Sequence, residues 1–312
     1  MDGRLQVFAG NANPRLADAI ATALEIPLGR RFVGSWSDGE SRVELEENVR
    51  GSDVFVIQPM CNPVNQNIVE FLLMLDAAKR ASATRVTAVV PYFAYARQEK
   101  KTRGREPISA KLVANLLVTA GTDRVLTLDM HAPAIEGFFD IPVDHLRSTP
   151  ILAAHFHRMH KSDLVVVSPD SGGVGRADEF RQRTNGSLAI IAKKHPGPER
   201  TEMLEMVGDV QDREALIVDD VISTGVTLVK AAETLKARGA KSVSATAVHG
   251  VFADGALDLI NESIIDRVYV TDSIPLPDEG PRDKIEVLTV APLLAEAIMR
   301  IHKDLSISAL FT

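Results

Sequence analysis

A chain of 312 residues, 45% hydrophobic and 5% aromatic, has enough interior for one large or two medium α/β domains, and no stretch of it has a disordered composition. Its formal charge of -7 disfavours wholesale nucleic-acid binding, so basic residues clustered on a loop need a local explanation, for which a small anionic ligand is the economical one. Cys61 is the only cysteine, which excludes an intrachain disulfide. The N-terminal MDGRLQVFAGNAN lacks a signal-peptide pattern, and the most apolar helical stretch, residues 68–78, is interrupted by Glu70 and Asp76; the chain reads as cytoplasmic, with no membrane span.

Short apolar runs alternate with helical patterns: LQVFAG, DVFVIQP, RVTAVVPYF and RVLTLDM in the first half, then LVVVSPD, LAIIA, ALIVDD and SVSATAVHG. Such alternation predicts parallel sheets flanked by helices, and both halves read as doubly wound units. Most runs end in a turn carrying Asp, Asn, Pro or Gly, which places polar residues at the C-terminal sheet edge. The boundary falls near residues 144–150, giving domains 1–146 and 147–312 with no Gly/Ser linker between them.

Several segments carry candidate chemistry. WSDGE, between strand-like residues 31–34 and 42–45, reads on composition as a hairpin turn. The basic stretch 97–105 precedes a helix starting near Ser109; it is either a solvated charge run or a triphosphate site, where guanidinium groups fork onto phosphate oxygens and a Gln reads a base or ribose. His131 in DMHA and Asp170 in SPDSGG each follow a strand. Because Mg²⁺ prefers oxygen ligands, residue chemistry favours Asp170 and does not by itself nominate His131. The glycines of SGGVGRA read as a tight turn. After a strand at 189–191 comes AKKHPGPER, a segment expected to be mobile, with Lys193, Lys194, His195 and Arg200. Mobile cations that close over a transferring phosphoryl group stabilise its spread charge.

The most informative segment is LIVDDVISTGVT, residues 216–227. A buried parallel strand at 215–218 leads to two carboxylates and a small-residue turn, and a helix at 228–238 ends at Gly239. Backbone N–H groups at such a turn bind a dianionic phosphate, with Ser and Thr hydroxyls adding donors. Asp219 and Asp220 would repel that phosphate, so they suit neutral ribose hydroxyls beside it. An ordinary βα turn is the structural alternative.

The spacing DD-x-x-x-TG-x-T resembles the phosphoribosyl-binding motif of phosphoribosyltransferase-fold proteins. Together with FAGNANPRLA, WSDGE, ENVRG, YARQEK, REPISAKLVANLL, DMHA, GFFDIPVDHL and SPDSGGVGRA, nearly the whole chain resembles the ribose-phosphate pyrophosphokinase family. The resemblance implies an α/β fold of two doubly wound parallel-sheet domains of phosphoribosyltransferase-like type, the tail packing back on the first. It implies transfer of the β,γ-pyrophosphoryl group of ATP to the C1 hydroxyl of ribose 5-phosphate, giving phosphoribosyl diphosphate and AMP. It assigns Trp36, Asp38, Gly39 and Glu40, contributed across a subunit interface, and Arg97 and Gln98 to ATP. His131 and Asp170 go to Mg²⁺, and Lys193 to catalysis. Ribose 5-phosphate takes His195, Asp219, Asp220, Ser223, Thr224, Gly225, Val226 and Thr227. A dimer-based homo-oligomer, often a hexamer, and phosphate or ADP effectors are implied too, with no nucleic-acid or membrane partner.

The chain departs from the family pattern at Trp36 for Phe, Ala134 for Gln, Ala192 for Asp, Lys194 and His195 for arginines, and Ser223 for an Asp present in many members. The rival readings are a salvage phosphoribosyltransferase using the same loop, separable by nucleobase-dependent pyrophosphate release, and a non-catalytic synthetase-associated regulatory subunit.

Overall fold

The computed structural model describes residues 3–159, 163–194 and 203–310. The chain forms two units, Met1–Arg147 with Ser273–Pro275 and Thr289–Thr312, and Ser148–Asp272 with Leu276–Leu288. Residues 273–275 and 289–312 thus group with the first unit.

In the first unit, β1 (Leu5–Ala9) leads into α1 (Pro14–Leu24), the antiparallel pair β2 (Arg31–Ser35) and β3 (Ser41–Leu45), then β4 (Asp53–Ile57), α2 (Val64–Arg80), β5 (Arg85–Val90), α3 (Ser109–Thr119), β6 (Arg124–Leu128) and β7 (Val143–Leu146). The main sheet has the order β1-β4-β5-β6-β7 and is parallel throughout. Phe8, Val54, Val56, Val86, Ala88 and Val125 pack with Phe71, Met74 and Leu75 of α2 and Val113 and Leu117 of α3 in one core. Alternate strand residues Val7, Phe55, Ile57, Val89 and Leu126 are equally buried, so both faces are covered and the strands read as continuous apolar runs. α1 starts where the Asn13 side chain accepts from Leu16 N–H at 3.2 Å and Pro14 fixes the first turn.

The second unit contains α4 (Thr149–Met159), β8 (Leu164–Ser168), α5 (Val174–Thr184), β9 (Ser187–Lys194), β10 (Met203–Val207), β11 (Glu214–Ile222), α6 (Val226–Ala237), β12 (Ser242–Gly250), α7 (Ala256–Glu262), β13 (Arg267–Thr271) and β14 (Ile285–Leu288). Its sheet order is β10-β9-β8-β11-β12-β13-β14, parallel except for the edge strand β10. The chain winds outward from β8 in one direction and from β11 in the other. β8 and β11 therefore flank a switch point, where the two connections leave to opposite sides and open a crevice at the strands' carboxyl ends. Phe156, Phe180 and Tyr269 cluster on one face, with the Phe156 and Tyr269 rings edge to face at 4.7 Å. Val165, Ile217, Val243 and Ala245 pack with Leu228, Ala232 and Leu235 of α6 in another core.

α8 (Ala291–His302) returns to the first unit and packs on α1. Its anchor is Asp53, fully buried at the start of β4. Arg85 donates to both Asp53 oxygens at 2.8 and 2.6 Å and to the Ile301 carbonyl at 2.8 Å, while His302 Nδ1 lies 2.8 Å from Asp53 Oδ2. A buried carboxylate is tolerable only when paired and hydrogen-bonded in this way. No helix among the described residues is long and apolar enough to cross a membrane.

Candidate active site

In the second unit, β11 extends through Ile222, so Asp219 and Asp220 lie on the strand itself rather than in the turn after it. Parallel pairing with β12, Asp219 opposite Ala247 and Val221 opposite His249, carries the strand past the point where its apolar run stops. The chain then turns through Ser223, Thr224 and Gly225 into α6, which starts at Val226, two residues earlier than the sequence pattern placed it. Gly225 sits at φ +76, a conformation costly for any residue with a Cβ, and Val251 N–H donates to the Ile222 carbonyl at 2.9 Å, fixing the turn against the next strand. No side chain caps α6. Its first-turn N–H groups are thus available to an anion, with the exposed Thr224 and Thr227 and the half-buried Ser223 around them.

Asp220 is buried and Asp219 half-buried. Asp219 Oδ1 accepts from Asp220 N–H at 2.8 Å. Burial first, then the neighbouring Asp220, pushes the Asp219 carboxyl up to about 8, against the opposing pull of Arg176. Arg176 lies 3.2 Å from Asp219 and 3.4 Å from Asp220. Sequence reasoning missed this arginine. The only trace it left was its place in SPDSGGVGRA, at the end of the turn that β8 feeds.

Asp170 follows β8, the strand next to β11. Its Oδ1 accepts from Gly172 and Gly173 N–H at 2.8 and 3.0 Å, which holds an exposed carboxylate still at the switch point. β9 extends to Lys194 because residues 192–194 pair with β10, so Lys193, opposite Leu204, lies within a paired strand instead of in a loop after residue 191. His195 and Arg200 lie outside the described residues.

In the first unit, Trp36, Asp38, Gly39 and Glu40 form the turn between β2 and β3, as Asp-Gly chemistry dictates. Trp36 N–H donates to the Glu40 carbonyl at 2.8 Å, and Gly39 takes φ +93. The indole is 53% exposed, with the Arg42 guanidinium 4.8 Å over its ring, so a large π surface stands presented on a rigid hairpin. Asp38 Oδ1 accepts from Glu40 N–H at 3.2 Å, tying one of the two carboxylates to the turn.

Arg97 and Gln98 share a cleft of about 850 Å³ with residues 62–66, Tyr92, Ala94 and Tyr95. Tyr95, at φ +61, donates its hydroxyl to Asn65 at 2.6 Å across the mouth, a contact that nothing in the local sequence announces. Ser109 Oγ donates to the Gln98 side-chain oxygen, which orients the amide. The basic loop beyond is shaped by Glu106, whose carboxylate accepts from Thr102 and Arg103 N–H at 2.8 and 2.9 Å; these bonds hold it below the usual carboxylate range.

His131 is exposed just beyond β6. The bend before it rests on His145: Met130 N–H donates to its Nε2 at 2.8 Å, and its Nδ1–H donates to Glu136 at 2.5 Å. Burial, then the charge of Arg147, holds His145 below the usual histidine value and favours the neutral ring this pattern requires. Among the described residues no three His, Cys, Asp or Glu side chains converge as a metal cage.

Residues 5–121 match the family model for the N-terminal domain of ribose phosphate pyrophosphokinase, and residues 191–312 match that of the phosphoribosyl synthetase-associated domain. A ribose-phosphate pyrophosphokinase of Caldanaerobacter subterraneus subsp. tengcongensis is 52% identical over 311 residues, covering 99% of this chain and 98% of the relative. The Oceanobacillus iheyensis relative of the same name is 49% identical over 310 residues, covering 99% and 98%. The crystal structure of phosphoribosylpyrophosphate synthetase from Mycobacterium smegmatis superposes with a TM-score of 0.92 at 41% identity, covering 96% of this chain and 99% of that one.

Proposed function

The chain belongs to the ribose-phosphate pyrophosphokinase family, and from that premise we propose how its residues divide the reaction. The enzyme transfers the β,γ-pyrophosphoryl group of ATP to ribose 5-phosphate. The C1 hydroxyl oxygen bonds to the β-phosphorus, the bond from that phosphorus to the α-bridging oxygen breaks, AMP leaves, and the hydroxyl proton passes to solvent. No covalent enzyme intermediate is needed, because positioning and charge neutralisation suffice.

In the second unit, the turn of Ser223, Thr224, Gly225, Val226 and Thr227 holds the 5-phosphate on the α6 N-terminus, and Asp219 and Asp220 accept from the ribose hydroxyls. His195 adds to the sugar-phosphate contacts, and Lys193 stabilises the transferred pyrophosphoryl group. In the first unit, Arg97 and Gln98 hold ATP in their cleft, and the hairpin offers Trp36 to the adenine and Asp38, Gly39 and Glu40 to the nucleotide. Asp170 in the second unit and His131 in the first are each assigned to Mg²⁺ by the family resemblance, and the ion when bound would neutralise phosphate charge and orient the polyphosphate. A cytoplasmic, dimer-based homo-oligomer, a hexamer by family resemblance, with phosphate and ADP as effectors, completes the assignment.

The observation that carries the reading is the switch-point crevice of the second unit, where an uncapped helix start and two carboxylates lie side by side. Phosphorus NMR of the protein with ATP, ribose 5-phosphate and Mg²⁺ tests it. AMP and phosphoribosyl diphosphate should appear together; binding of both substrates without either product would mark a regulatory subunit instead.

A further inference from the structure

Arg176 is the third residue of α5, and its guanidinium spans the carboxylate pair, Nη1 at 3.2 Å from Asp219 Oδ1 and Nη2 at 3.4 Å from Asp220 Oδ1. The seat is built. Asp170 accepts from Gly172 and Gly173 N–H and so shapes the turn from which α5 leaves. A Cβ on Gly173 would come within 2.9 Å of Ser168 Oγ, so the turn beneath the guanidinium requires bare backbone there. The arginine side chain is only 23% exposed.

Two carboxylates side by side and poorly hydrated repel each other, which favours a proton on one of them. A guanidinium is always charged and has a planar fork, so it pulls against that proton and fixes the two carboxylate planes through their Oδ1 atoms. Lysine supplies charge without the fork.

We propose that Arg176 is a positioning residue that sets Asp219 and Asp220 to accept two hydroxyls at once, making the cradle selective for a sugar phosphate with a vicinal diol. The inference rests on the assignment of Asp219 and Asp220 to the ribose hydroxyls.

Steady-state kinetics of the full chain with ribose 5-phosphate and 2-deoxyribose 5-phosphate test it, on the parent, Arg176→Met and Arg176→Lys. The parent should strongly prefer the ribose substrate. Arg176→Met should raise KM for ribose 5-phosphate about ten- to hundredfold, the scale of losing charge-assisted hydrogen bonds, with a much smaller change in kcat. Its preference for ribose over deoxyribose should collapse, and Arg176→Lys should restore part of it. A Met variant that keeps the parent's preference overturns the proposal, even if overall activity falls, because a merely structural arginine would weaken both sugars alike. Should the Met variant fail to fold by circular dichroism, the Lys variant decides, and an undiminished preference there overturns it too. A parent indifferent to the missing hydroxyl refutes the carboxylate assignment itself, and the inference with it.

Discussion

Replacing Asp219 with Asn should stabilise the protein at neutral pH while impairing the site. The Asp219 carboxyl rises from 3.8 to about 8 in the folded chain, mainly through burial and then through Asp220. A raised folded value means the native state holds the proton more tightly than the unfolded one. The associated stability is complete below about pH 4 and is lost as pH climbs through 8. At about 1.4 kcal/mol per pH unit, the loss accumulated over the roughly three units to pH 7 has a ceiling of about 4 kcal/mol. The side chain is 28% exposed and faces Arg176, so about half that ceiling is expected. Asparagine keeps the shape and an oxygen to accept from Asp220 N–H and Arg176, but it does not titrate. Urea unfolding followed by circular dichroism from pH 5 to 8.5 should show the variant gaining on the parent steadily as pH rises. Parallel curves, or a variant that loses ground toward pH 8, would refute the reasoning.

Three further outcomes are expected. Asp53→Asn removes the charge that Arg85 and His302 share, leaving a buried guanidinium poorly compensated; it should cost about 3 kcal/mol in a denaturant melt, and a cost under about 1 would mean the cluster contributes little. Gly225→Ala forces a Cβ into φ +76 with Ile260 at 3.4 Å; calorimetry should show ribose 5-phosphate binding weakened at least about fivefold, the equivalent of about 1 kcal/mol, with ATP binding unchanged. Lys193→Ala should lower turnover far more than ATP affinity, and unchanged turnover would remove Lys193 from catalysis.

What could be read from the sequence was local. Asp-Gly at 38–39 announced its hairpin, and the string from Asp219 to Thr227 announced strand, turn and helix, because each depends on neighbours within a few residues. Arg176 was invisible because Asp219 lies 43 residues away, with Asp220 next to it, and both meet it only where β8 and β11 pair across the reversal in strand order. The last residues of β9 were missed for a similar reason: KK reads as loop, and only the antiparallel partner β10 makes it strand. His302 finds Asp53 across 249 residues, so no local window of sequence bears on where α8 packs; only the family resemblance, with its tail folding back on the first domain, points there.

That return of α8 bears on how the chain is made. A ribosome releases residues 1–147 long before residues 291–302, so the nascent first unit must wait, with Asp53 lacking His302 and α1 lacking its packed neighbour, while the whole second unit is synthesised. The second unit's sheet is complete by Leu288, before α8 begins, and so it can close first. The order of maturation then runs against the order of the sequence, with the end of the chain completing what its beginning started.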